Sequence, residues 1–415
     1  MITRKGEPAW QALLQEGDAY VDGGRTFHRQ EPLRGLAIPA GREDLELHVW
    51  HEEHRTVRRV IRAVPRQAEK KEPVSLEVSI DPDRGRAQIE VRPDDSSFLR
   101  GRRLRIDWSH AEDTRQTKEQ VEQSLPRAFP PIEQRPASPE AWSRAKWAIR
   151  ELDLTLLDQR GDSAWGRITE ALKVKNRQPP VSTEGTHPYE QEILDRLVEM
   201  ALEQSQATDA SLRSQIERAL SYSMSPDPRL NGWIDEILQQ PAYRLTLHHN
   251  APLQFCAFCA RKPHAMRRVL EAVADELEER EAKRSRDLLR AASFLLMYRD
   301  SAASSLSRAT AEKLAEWVSR VLWQEVRAQR LHYNFRYSSL SLVYLLRYRS
   351  EAEDFLSAGE SVTERIRNCF ELAREIVIED RGKATWGSIN PVQTIETMLD
   401  YLDRKGHGSL VGLDD

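Results

Sequence analysis

Cysteine is scarce in this chain. Three residues in 415, an odd number, cannot build a disulfide framework and fit a reducing compartment. Long apolar runs are missing as well: SFLLMY and SLVYLL fall far short of the roughly 20 residues that a bilayer crossing needs, and MITRKGEPAW lacks the apolar centre of a secretory signal. No glycine-rich phosphate loop, nucleophile elbow or kinase signature occurs, which argues against the common nucleotide sites and gives no cofactor to expect. A formal net charge of -4 provides no general attraction to nucleic acid, although basic clusters act locally. These absences point to a cytoplasmic protein without membrane contact.

Hydrophobic residues make up 39% of the chain and charged residues 31%, an ordinary composition for a protein that folds in water. Its length exceeds the usual size of a single core, so two or three domains are expected. The character of the chain changes near residue 110. Before it, DLELHVW, TVRRVIRAV, VSLEVSI, AQIEV and RLRIDW alternate apolar and polar residues with the period of two that marks half-buried strands. Leu45, Leu47 and Val49 are expected on one face, with Glu46, His48 and Trp50 on the other. DPDRG, Asp81 to Gly85, turns one strand into the next. No helix of crossover length lies between these segments, so the strands pair antiparallel.

From Ala111 to Ala137 the sequence is polar and then proline-rich, and reads as a linker with a short helix around Thr117 to Ser124. Ser138, with Pro139 at the first helical position and Glu140 after it, opens a helix carrying Trp142 and Trp147. Helical periodicity continues over 187–205, 209–223, 231–240, 252–262, 264–298 with an internal break, 308–329, 337–349, 361–379 and 391–404. In the 308–329 segment Leu314, Trp317, Val318, Val321 and Leu322 set the apolar stripe. The expected fold is therefore α+β: a small antiparallel β-sandwich over 1–110, a linker over 111–137 and a helical stack of HEAT or armadillo type over 138–415, with a break near 299–308. No consistent repeat unit is found, so a strict repeat protein is not expected.

Four constellations invite a chemical reading. In LHVWHEEHRTVRR, His48, His51 and His54 surround Glu52 and Glu53; on a helix they would converge on zinc, with a glutamate as base. The flanks alternate, however, so the group belongs to a strand and a solvated turn, where His48 and His51 project to opposite faces. Cys256 and Cys259 form a CxxC pair near His248, His249 and His264. Without a second CxxC, and between Phe255 and Phe258 on a helical pattern, the thiols are better read as core. Asp81 and Asp83 begin like a calcium loop, but the position that needs a bidentate glutamate is Arg92. Arg327 to Ser350 offers arginine and tyrosine together. Arg327, Arg330, Tyr333, Arg336, Tyr337, Arg347, Tyr348 and Arg349 are the candidate partner surface, against the alternative that Tyr337, Leu340, Tyr344 and Arg347 follow helix spacing into a core. Leu99 to Trp108 reads as the charged face of an edge strand.

The segment EPVSLEVSIDPDRGRAQIEV resembles the strand, turn and strand of the substrate-binding sandwich in DnaK-type heat-shock chaperones. Glu77, Val78, Asp81 and Asp83 follow that family's E-V-x-x-D-x-D-x-x-G pattern, with Gly85 one residue early. Upstream, LRGLAIPAGREDLELHVWHEEHRTVRRVIRAV is similar to the family's isoleucine-proline step and hairpin. The resemblance spans about residues 25–108 and implies a peptide-holding sandwich followed by a helical region. Departures are the missing ATPase domain ahead of it and a helical part much longer than the family's lid. It implies cooperation with an actin-like ATPase, on another chain or in a preceding portion, and no peptide-cleft residue is carried over. The function expected is a non-enzymatic chaperone-like or adaptor protein that binds peptides or protein partners. The alternative is a zinc-dependent hydrolase or nucleic-acid processing factor using the His48 group or the Cys256 pair.

Overall fold

A computed structural model describes residues 2–4, 7–10, 12, 19–21, 26–28, 32–38, 44–51, 56–63, 72–81, 86–93, 104–107, 111–133, 147–148, 150–151, 161–172, 191–204, 210–239, 251–280, 286–379, 389–410 and 413. The fold class is α+β, with antiparallel sheets followed by helices. Two compact units divide it, residues 1–127 and 128–415.

The first unit contains β1 (Ile2–Arg4), β2 (Glu7–Ala9), β3 (Ala19–Val21), β4 (Thr26–His28), β5 (Leu33–Ile38), β6 (Asp44–His51), β7 (Thr56–Ala63), β8 (Glu72–Asp81), β9 (Arg86–Pro93), β10 (Leu104–Asp107) and β11 (Glu112–Asp113). β1 and β2 form a two-stranded ribbon, and β11, β7 and β6 form a three-stranded sheet in that order. The long strand β8 organises the six-stranded sheet. Its one edge carries β9 in continuous register from Val74↔Pro93 to Asp81↔Arg86; its other edge is shared by β5 and β4. Alternation dictates which face is covered: Val74, Leu76 and Val78 are buried, while Ser75, Glu77 and Ser79 between them are half-exposed. With Leu33, Ile89, Val91, Leu104, Ile106 and Ala111 they join Leu47 and Val60 of β6 and β7 in one apolar cluster. β10 lies at the sheet's edge, where Arg105 reaches Glu90 of β9 at 2.9 Å, the charged edge face expected from the sequence.

The polar stretch read as a linker is structured through residue 133. β11 pairs with β7, and helix α1 (Lys118–Ser124) begins at Thr117, whose hydroxyl accepts from the Gln120 amide while the Gln120 side chain accepts from the Thr117 amide. The short helix expected there is thus present with a capping box.

The second unit is helical: α2 (Gly161–Leu172), α3 (Gln191–Gln204), α4 (Ala210–Ser223), α5 (Asn231–Leu238), α6 (Ala251–Cys259), α7 (Pro263–Glu279), α8 (Arg286–Tyr298), α9 (Asp300–Ser304), α10 (Arg308–Arg327), α11 (Tyr333–Leu345), α12 (Ser361–Glu379) and α13 (Pro391–Leu402). Packing passes from α2 to α4, α6, α8, α11, α10, α12 and α13 in turn, with α7 against α10. α10 shows why: Ala311, Leu314, Ala315, Val318, Val321, Leu322 and Val326 are buried at spacings of three and four, and Ser307 caps the helix by accepting from the Thr310 amide. Trp317, expected in that stripe, is partly buried and packs against the same core, with Arg320 over its ring. α11 is buried on nearly every side. Its serines Ser338, Ser339 and Ser341 are buried; Ser341 donates to Tyr337 O of its own helix at 2.7 Å and reaches Leu289 O of α8 at 3.4 Å. Neither α2 nor the one-turn α9 is expected from the sequence. Of the helix expected to open at Ser138, residues 147–148 and 150–151 are described and are helical, with Trp147 exposed and Ala148 buried; the rest lies outside the described residues. Among the described residues no helix is long and apolar enough to cross a membrane.

Candidate partner surfaces

The arginine and tyrosine stretch from Arg327 to Ser350 is divided between the interior and the exterior of the helical unit. Its second half is interior, which corrects the expected surface. Arg349 is 2% exposed, because its guanidinium is enclosed by carbonyls of three separate segments. It donates to Ala128 O at 2.8 Å, Phe355 O at 2.9 Å, Leu356 O at 2.6 Å, Tyr401 O at 3.1 Å and Leu402 O at 3.2 Å. The last two are carbonyls at the negative end of α13, which suits a cation. Burial pushes the Arg349 guanidinium down to about 9, so it remains charged at neutral pH. Tyr348 packs edge-on against Phe355 at 5.2 Å, and Tyr337 is buried within α11. Arg347 donates to Pro130 O at 3.1 Å and Asp300 Oδ1 at 2.8 Å. These four residues hold the helical unit together and are not available to a partner.

Tyr344, one turn before Tyr348, donates to Glu133 Oε1 at 2.5 Å, while Ser409 donates to Glu133 Oε2 at 2.7 Å and the Leu410 amide to Oε1 at 3.3 Å. Burial and the Glu133 carboxylate push the Tyr344 phenol well above the usual tyrosine range. The described part of the proline-rich stretch is thus anchored inside this unit.

The first half of the stretch is exterior. Arg327 lies over the Trp323 ring at 5.4 Å, at the C-terminal turn of α10. Arg330 is exposed in the turn that follows, and Tyr333, 50% exposed, opens α11 beneath the guanidinium of Arg286, 4.2 Å from its ring centre. Arg336 is half-buried and donates to Leu413 O at 2.5 Å. Sequence gives no sign of Arg286 or Trp323 here: Arg286 belongs to a helix distant in the chain, and Trp323 follows directly on the apolar stripe of α10.

On the strand unit, β6 is an edge. It pairs with β7 from Asp44↔Ala63 to His51↔Thr56 and, among the described residues, with no strand on its other side. Glu46, His48 and Trp50 do share the face opposite Leu47; on it His48 is 7% exposed and Val57 across from Trp50 1% exposed, while Glu46 is exposed. His48 approaches Glu46 Oε1 at 3.3 Å, and burial lowers its basicity. His51 ends the strand; His54 lies outside the described residues. β6 is therefore an eight-residue strand buried on both faces at its centre and, among the described residues, paired with a strand on one side alone.

Cys256 and Cys259 lie inside α6, both buried. Cys259 donates to Leu220 O at 3.2 Å, and burial pushes its thiol up to about 12, which disfavours the thiolate that metal binding needs. His264 is exposed on α7 and pairs with Asp235 at 3.3 Å. His248 and His249 lie outside the described residues. Among the described residues no group of three His, Cys, Asp or Glu side chains is placed to hold a metal ion.

One buried carboxyl is not singled out by the sequence. Glu217 of α4 is 2% exposed, accepts from Trp233 Nε1 at 3.2 Å and pairs with Arg213 Nε at 3.3 Å. Burial outweighs Arg213 and raises Glu217 to about 7. No family model, curated protein or solved structure matches the chain.

Proposed function

We propose that this chain is a non-enzymatic chaperone-like or adaptor protein that takes an extended peptide segment of a protein partner along β6. The open edge of β6 carries the reading. Among the described residues no strand pairs along it, which offers a hydrogen-bonding template for an added strand, and the burial at the centre of β6 supplies neighbours for that strand's alternate side chains. Exposed strand edges of this length are otherwise an aggregation hazard, so an occupant gives the edge a use. A sandwich arrangement of the strand sheets and the resemblance of residues 25–108 to the DnaK-type substrate-binding region support the same function, and bring with them an actin-like ATPase as the cooperating partner. The succession of helices supports a HEAT-like or armadillo-like stack that presents surfaces to proteins.

The test is binding of a labelled unfolded peptide rich in valine and leucine to the full chain, without metal or nucleotide. Saturable capture is expected, reduced about tenfold or more by Val49→Lys, which sets a charge on the half-exposed edge. Absence of capture by the unmodified chain, or equal capture by the variant, would remove the reading.

A further inference from the structure

We infer that the surface where α10 ends and α8 and α11 begin docks a short acidic segment of a partner protein, independently of the β6 edge. Along α10 the cations change company. Arg308 is paired with Glu312 and Asp354, Lys313 with Asp275 and Glu278, and Arg320 with Glu316. Past Arg320 the pattern stops: Arg327, Arg330 and Arg286 are exposed and, among the described residues, ion-paired with none. Two of them lie instead over aromatic rings, Arg327 on Trp323 and Arg286 on Tyr333.

A guanidinium on a ring keeps its edge of N–H donors free while losing much of its freedom of orientation. It is then ready for the two oxygens of a carboxylate. Tyr333 joins the two ends of the surface, since it lies under Arg286 and three positions after Arg330. Charge complementarity selects an acidic occupant. The extent of the surface selects a peptide over a nucleic acid: three guanidiniums form a patch rather than a track along a phosphate backbone. The faces of Trp323 and Tyr333, which bases would stack on, already carry arginine, and the chain's net charge of -4 opposes a long polyanion. Partly exposed tryptophan, tyrosine and arginine are also the residues that dominate protein interfaces.

The experiment measures fluorescence anisotropy of a short labelled peptide alternating glutamate and leucine, titrated with the full chain at low and physiological salt. A peptide with glutamine in place of glutamate and a DNA duplex of matched charge serve as comparisons. Binding of the glutamate peptide, weakened by salt and by the Gln exchange, is expected. The triple variant Arg286→Gln, Arg327→Gln, Arg330→Gln should bind about tenfold or more weakly, since each exposed pair contributes little alone and the three act together. All three side chains are exposed, so the variant keeps its far-ultraviolet circular dichroism and thermal midpoint, and Val49→Lys leaves this affinity unchanged. Equal binding by the triple variant, tighter binding of the duplex than of the glutamate peptide, or no binding of that peptide would overturn the inference.

Discussion

The hydroxyl of Tyr344 is hydrogen-bonded to the carboxylate of Glu133, 211 positions earlier, at 2.5 Å. Both groups are buried, and Glu133 also accepts from Ser409 and the Leu410 amide. Tyr344→Phe removes one donor from an enclosed acceptor while leaving the ring in place. A loss of about 1–3 kcal/mol in unfolding free energy is expected, read from urea denaturation of the full chain. Unchanged stability would mean that water or another donor replaces the phenol.

Arg349 serves five carbonyls at once, and no other side chain type has the planar set of donors to do so. Arg349→Met leaves those carbonyls without their shared donor and is expected to destabilise the helical unit by about 3–5 kcal/mol, the scale of a buried polar network losing one member. Arg349→Lys should recover little, because an ammonium reaches fewer acceptors. Calorimetry of the two variants decides it: a lysine variant that melts with the wild type would show that charge alone suffices.

Glu217 makes stability depend on pH in a direction opposite to most carboxylates. Its folded value of about 7 lies above the ordinary 4.5, so the folded state favours the protonated form. Its contribution is fully present below pH 4.5 and is lost as pH rises through 7, by up to about 3 kcal/mol. Glu217→Gln keeps an acceptor for Trp233 and removes the titration. The variant's stability relative to wild type should therefore rise between pH 5 and pH 8; a flat difference across that range would contradict the assignment.

Cys256, Cys259 and Cys369 are all buried, and burial raises each thiol. A thiol reagent added to the native chain should react with them no faster than the helices open, and with all three at once in denaturant. Rapid native labelling of either member of the CxxC pair would indicate an accessible redox or metal-binding pair instead.

Much of the helical unit is legible from periodicity, and the reasons for the exceptions are physical. The run 264–298 carries an expected break, and it breaks between α7 and α8; 361–379 matches α12. Gly161 and Gly166 dilute the pattern of α2, whose Trp165, Ile168 and Leu172 are nevertheless buried. The strands β6 to β10 follow from alternation, whereas β1 to β4 are three residues each, too short for a period to show. The candidate surface is harder to read. Arg327 and Arg349 belong to one stretch of sequence, but a buried arginine cannot be told from an exposed one until the carbonyls around them are known. Arg286 meets Tyr333 only because α8 packs on α11.

The Arg349 contacts have a consequence for how the helical unit comes apart. Ala128 and the last turn of α13 are held by one guanidinium, and Glu133 is tied to Ser409 as well as to Tyr344. An open row of helices sheds its outermost members first, each at its own free energy. Here the earliest segment of the unit and one of its latest are fastened by the same side chains. Amide exchange at residues 128–133 and 401–410 should therefore slow or quicken together, with neither segment peeling away while the other stays protected.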